Sequence, residues 1–99
     1  MTREFPVPGL GRAVVAVAAP RPGSGHWAGA ASAALDHDGS FVVAYRRRLV
    51  EERGAANVIA RSGDGERLTT VGTLDRARFG AESLERPALV RTAAGRWRV

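Results

Sequence analysis

The sequence predicts an all-β chain: one four-stranded antiparallel propeller blade plus the start of a second. The first observation is a repeat. Ala30–Leu35 runs into Asp36-His37-Asp38-Gly39 and then Phe41, while Arg86–Arg91 runs into Thr92-Ala93-Ala94-Gly95 and then Trp97. Gly39 and Gly95 stand 56 positions apart (95 − 39), and each is followed two positions later by an aromatic residue. The second is the period: about 50 residues with strand–turn–strand content fits propeller blades, because solenoid repeats are usually shorter. The third is alternation. Phe41, Val43 and Tyr45 interleave with Val42, Ala44 and Arg46, which is the two-residue period of a strand.

Residues 1–25 read as an irregular arm carrying one short strand. Pro6, Pro8, Gly9 and Gly11 break any regular pattern at its start. Ala13-Val14-Val15-Ala16-Val17-Ala18 is apolar and Val-rich with no cap residue before it, so a short buried strand is expected there rather than a helix. Pro20 to Gly25 is a loop.

Residues 26–79 form the first blade. Trp27 to Leu35 is small and apolar, which suits an inner strand where neighbouring blades crowd together. Asp36 to Gly39 supplies the side-chain acceptors and positive φ of a tight turn. The Phe41 strand follows, and Glu51-Glu52-Arg53-Gly54 is a polar loop. Asn57 to Ser62 is a third strand, with Val58 and Ala60 on one face and Ile59 on the other. Ser62-Gly63-Asp64-Gly65 turns into a fourth strand, Arg67 to Leu74. Asp75 to Gly80 links to residues 80–99, an incomplete second blade of two strands. Pro87 is tolerable near a strand start.

Composition narrows the function classes. All fifteen basic residues are Arg, giving a formal charge of +5. Total exclusion of Lys marks a compositional bias, and Arg46-Arg47-Arg48 is split between two faces by strand alternation. No aromatic-rich RNA-binding pattern accompanies it, so no nucleic-acid partner is expected. Cysteine is absent, which removes disulfides and thiolate metal sites. His26 and His37 sit in separate loops, so neither a metal site nor a cofactor is expected. The apolar run Ala13–Ala19 is too short to span a bilayer, and the expected location is cytoplasmic with no membrane partner. Apolar mass leans on Ala and Val, which predicts a light core and modest stability.

Three segments, in order, carry a resemblance: Ala44-Tyr45-Arg46, Ala60-Arg61-Ser62-Gly63-Asp64-Gly65 and Glu85-Arg86-Pro87-Ala88-Leu89-Val90. Together they resemble the opening blades of five-bladed β-propeller glycosidases, the arabinanase/xylosidase-like hydrolases and the mannoside phosphorylases. In that family a Tyr-Arg ends a first-blade strand, a Ser-x-Asp-Gly turn follows, and a Glu-x-Pro element opens an inner strand of a later blade. Leu68 stands where the turn pattern would put an aromatic. The resemblance spans about residues 27–99 and implies a partial five-bladed propeller that acts on carbohydrate.

By that resemblance Glu85 sits at the central funnel, as catalytic acid or as a ligand to sugar hydroxyls. Arg86 contacts sugar or phosphate, and Arg46 lies on the same rim. Each has a plainer alternative: Glu85 pairing with Arg86 or Arg91 at a surface turn, and Arg46 as a solvated strand end. Asp64 and Gly65 are assigned to turn chemistry, and Trp27, Trp97 and Tyr45 to packing. Glycoside cleavage needs two carboxyl groups flanking the bond. Overlaying the two copies puts Gly29 where the related hydrolases hold a carboxylate. At about 3.3 Å per residue, Asp36 lies on the order of 20 Å from residue 29, too far to partner Glu85. No complete catalytic pair can be assembled. Since each blade needs about 50 residues, the chain reads as an N-terminal, truncated portion of a propeller and as catalytically inert. The alternative is a small β-rich binding or assembly module that self-associates through exposed strand edges.

Overall fold

The computed structural model describes Glu4 and residues 6–99, and the opening of the arm (Met1–Arg3 and Phe5) lies outside the described residues. The described chain is all-β. Strands β1 (Trp27–Leu35), β2 (Phe41–Arg48), β3 (Ala56–Ser62) and β4 (Thr69–Asp75) form one antiparallel sheet in the order β1-β2-β3-β4. Strands β5 (Val90–Arg91) and β6 (Trp97–Arg98) form a second, two-stranded ladder. Apart from short 3-10 turns at Leu10–Arg12 and Arg76–Phe79, no helix is present among the described residues.

The meander follows directly from its turns. Asp36 N–H donates to Ser40 O (2.8 Å) and Gly39 N–H to Asp36 O (3.1 Å), with Gly39 at φ +83°. The second hairpin repeats this geometry: Thr92 N–H donates to Arg96 O (2.8 Å), Gly95 N–H to Thr92 O (2.9 Å), and Gly95 has φ +80°. The two look-alike segments therefore fold as the same turn in two separate sheets. The third turn is longer than the sequence pattern suggests. Asp64 Oδ1 accepts the N–H groups of Glu66 and Arg67 at 2.9 Å each, which delays the ladder to Thr69 instead of Arg67.

Cross-strand pairing defines two faces. Arg46, Ala44 and Val42 stand beside Gly29, Ser32 and Ala34 of β1 and beside Asn57, Ile59 and Arg61 of β3. Residues 83–89, leading into β5, cross this face as an irregular strap held by Arg46, Asn57 and Ser32. Phe41, Val43 and Tyr45, with Ser62, Ala60 and Val58, make the opposite face, where Ala16 and Val17 of the arm wall an apolar cavity with Tyr45 and Leu68. Buried apolar residues are Val42, Ala44, Ala55, Ala56, Val58 and Ala60, so the core is thin and holds nothing larger than Val.

Two expectations are corrected. Ala13–Ala18 is not a strand: it is exposed irregular chain apart from half-buried Val17. Among the described residues no strand lies alongside to complete a ladder, and Ala16 and Val17 instead pass over the sheet's apolar face. In the second unit, residues 84–89 form no ladder before Val90. Leu84 O, Glu85 O and Leu89 N–H are taken by side chains of the first sheet, Leu84 N–H by Gly54 O, and Pro87 has no N–H to offer.

One strain point stands in β1. Ala30 and Ala31 together oppose the single residue Tyr45, a bulge that leaves Ala30 at φ +52°. Non-glycine residues rarely hold that conformation.

Candidate functional site

The structure brings Arg46 and Glu85 together. Arg46 sits on β2 with only 7% of its surface exposed. The solvated-strand-end reading therefore fails, because the strap folds back over this residue and covers it. Its Nε donates to Leu84 O at 2.8 Å and its Nη2 to Ser83 Oγ at 3.2 Å. Nη2 also lies 3.3 Å from Glu85 Oε2, and Ser83 Oγ donates to Glu85 Oε1 at 3.0 Å. Glu85 thus pairs with Arg46 and not with Arg86 or Arg91. Its carboxylate stays open to solvent, with 70% of the side chain exposed. An Arg fork serving three acceptors at once fixes geometry as well as charge.

Trp27 closes the other side. Its ring centroid lies 5.5 Å from Arg46 Cζ, a cation–π distance. Arg91 lies 5.9 Å from the Trp97 ring in the same way. Both tryptophans, expected as packing, are half-buried and stacked by arginine. Arg86 is exposed beside Glu85 and lines a groove of about 320 Å³ with Asn57, Phe79, Leu84 and Pro87. Asn57 anchors the groove floor by donating from Nδ2 to Glu85 O at 3.2 Å.

The place expected to hold a second carboxylate is next to this cluster. Gly29 is the direct cross-strand partner of Arg46, and Trp27 ring atoms lie 3.6 Å from where its Cβ would stand. Asp36 is engaged elsewhere, 2.9 Å from Arg61 Nη1 and 3.4 Å from Arg91 Nη1. Hydrogen bonding from the Ser40 hydroxyl holds Asp38 below the ordinary carboxylate value of 3.8. Hydrogen bonds from the Arg67 and then Glu66 N–H groups do the same for Asp64. Both are ionised acceptors in turns rather than proton donors. His26 Nδ1 lies 3.1 Å from Pro22 O, and its Nε2 is 3.6 Å from Glu51, which also contacts Arg21.

Ser83, Asn57, Gly54 and Ser32 complete the arrangement and were not anticipated from sequence. Gly54 O accepts Leu84 N–H at 2.9 Å, and Ser32 Oγ accepts Leu89 N–H at 3.1 Å. Their only sequence signal is faint: a Gly closing the Glu51–Gly54 loop, and a Ser two positions before Glu85.

No family model, curated protein or solved structure matches this chain. Among the described residues no helix is long and apolar enough to cross a membrane.

Proposed function

We propose that the chain is the opening of a glycosidase-like, carbohydrate-active five-bladed propeller. On this reading the β1–β4 sheet is its first blade, and β5–β6 begins the second. Glu85 and Arg86 bind sugar hydroxyls at the rim, and Arg46 holds Glu85 in place. The observation that supports this best is the Arg46–Glu85 pair. Two residues that the resemblance assigns to one rim meet at 3.3 Å, with the carboxylate facing solvent and Trp27 lying on Arg46, 5.5 Å from its Cζ. A carboxylate with free lone pairs beside an aromatic surface is suited to hold a sugar ring by its hydroxyls and its apolar face.

The same cluster supports binding without turnover. Gly29 contributes no carboxylate beside Glu85, so the two-carboxyl machinery of glycoside cleavage is incomplete. Titrating the isotope-labelled chain with arabino-, xylo- and manno-oligosaccharides tests the reading by NMR. A shift of the Trp27 indole and Arg86 signals, lost in Glu85→Gln and Arg86→Ala, is expected. A folded spectrum in which neither signal moves at saturating sugar overturns the sugar-binding role. Release of new reducing ends would demonstrate turnover and overturn the assignment of the chain as catalytically inert.

A second reading, an assembly module pairing through strand edges, draws on the free outer edge of β1, where Leu35 is 63% exposed. Under that reading Leu35→Lys abolishes self-association and leaves the sugar titration unchanged.

A further inference from the structure

The strap is held to the sheet in an unusual manner. Its residues 83–89 make no strand ladder with the sheet. Side chains of the sheet instead grip the strap's backbone: Arg46 on Leu84 O, Asn57 on Glu85 O and Ser32 on Leu89 N–H. A backbone clamp of this kind accepts any extended chain. Direction and register come from two ion pairs at its ends. Glu85 of the strap meets Arg46 of β2, and Arg91 at the end of β5 meets Asp36 in the β1–β2 turn. The strap thus reads negative then positive, and the sheet positive then negative. Only the chain's own strap is shown to carry this match.

We propose that this face is a docking site for the strap of a second copy of the chain, so that two copies exchange residues 83–99. The bonds from Arg46, Asn57 and Ser32, and the Leu84 N–H bond to Gly54 O of the β2–β3 loop, are the same whether strap and sheet belong to one chain or two. The linker between them is short: the 3-10 turn Arg76–Phe79, then Gly80 at φ +62°, then Ala81 and Glu82. In the closed form Gly80 turns the hinge in the left-handed region, and opening breaks the hinge bonds from Ala81 N–H to Arg76 O and from Gly80 N–H to Ala77 O while leaving the bonds of residues 83–89 to be remade on a second copy. Arg76 is the residue that latches the closed form, through Nε to Glu52 Oε1 (2.9 Å) and Nη1 to Glu82 O (2.9 Å). Exchange of an identical element between copies is a low-cost route to a dimer.

The test uses the whole chain. Labelled and unlabelled copies are mixed, unfolded and refolded together, and isotope-filtered NMR reports contacts between copies. The expected result is a doubling of the light-scattering mass at high concentration, with intermolecular signals joining Ser32 to Leu89. Arg76→Ala, which unlatches the hinge, moves the transition to lower concentration. The chain has no cysteine, so Ser32→Cys in one copy and Leu89→Cys in another give a second readout. Disulfide dimers should then join unlike chains well above the random share. A monomeric mass at all concentrations overturns the proposal. So does a dimer whose intermolecular signals lie at the β1 edge, or a random disulfide distribution.

Discussion

Gly54, in the β2–β3 loop, lies directly against the strap. It holds φ +61°, and an added Cβ would stand 2.6 Å from Leu84 O and 2.9 Å from Leu84 N while overlapping Ser83 Oγ. Backbone cannot yield as a flexible side chain would. Gly54→Ala is therefore expected to cost at least about 2 kcal/mol, from the left-handed conformation plus the clash. Gly80, at φ +62° with nothing within 4 Å, separates the two contributions. Gly80→Ala should cost only about 1 kcal/mol. Equal losses in urea unfolding would show that the strap does not press on Gly54. Ala30 carries the opposite sign: at φ +52° in the β1 bulge, Ala30→Gly should gain about 0.5–1 kcal/mol. Arg46 is a different kind of residue, since its removal strips the partners from Leu84 O, Ser83 and Glu85 together. Arg46→Ala should cost about 2–3 kcal/mol. Arg46→Lys should recover little of it, because an ammonium cannot serve all three acceptors in a fixed fork.

At the scale of elements, turns and strands were legible because their causes are local. The Asp36–Gly39 turn, the alternation from Phe41 and the Asp64–Gly65 turn each need only neighbouring residues. The strap was not legible, because its causes are distant. Arg46 lies in an arginine run that looks like a solvated face, and it is buried because Trp27 covers one side and Ser83 and Leu84 return to it from 37 and 38 positions on. Ala13–Ala18 misled for the same reason: apolar composition promised a strand, but a ladder partner is a tertiary fact. The turns also carry a pH dependence. Asp64 titrates below 3.8 in the folded chain because it accepts the Arg67 and Glu66 N–H groups and the Ser62 hydroxyl. A depressed carboxylate stabilises the fold above its unfolded pKa, and that stabilisation is lost as pH falls through the folded value. The carboxyl carbon of Asp64 should thus show an NMR midpoint under 3.8, with the Arg67 N–H losing protection in step. A midpoint at or above that value would remove the turn assignment. Asp64→Asn should flatten the response.

For the whole molecule, shape and core tell one story. The radius of gyration is 15.2 Å, against about 13 Å for a compact chain of this size. The extents of 51 × 39 × 24 Å describe a flat body with an arm on one face and a strap on the other. A core limited to Ala and Val buries little apolar area for each ordered residue, and small domains have little to spare. Protection should therefore be uneven. β2 and β3 are paired on both edges and hold the buried residues Val42, Ala44, Val58 and Ala60. β1 and β4 each leave one edge open, and β5–β6 is a ladder of two residue pairs. Local openings follow such differences, from near zero at frayed edges up to the global value in central strands. Native-state hydrogen exchange should show the slowest amides in β2 and β3, with the outward amides of β1 and β4 faster. Amides of β5–β6 should exchange fastest of the ladders. Should copies exchange straps, the Leu84 and Leu89 amides would slow as protein concentration rises while those of β3 stay constant. Uniform protection across all six strands would mean that the thin sheet, arm and strap unfold as one cooperative unit, and the layered account would not survive it.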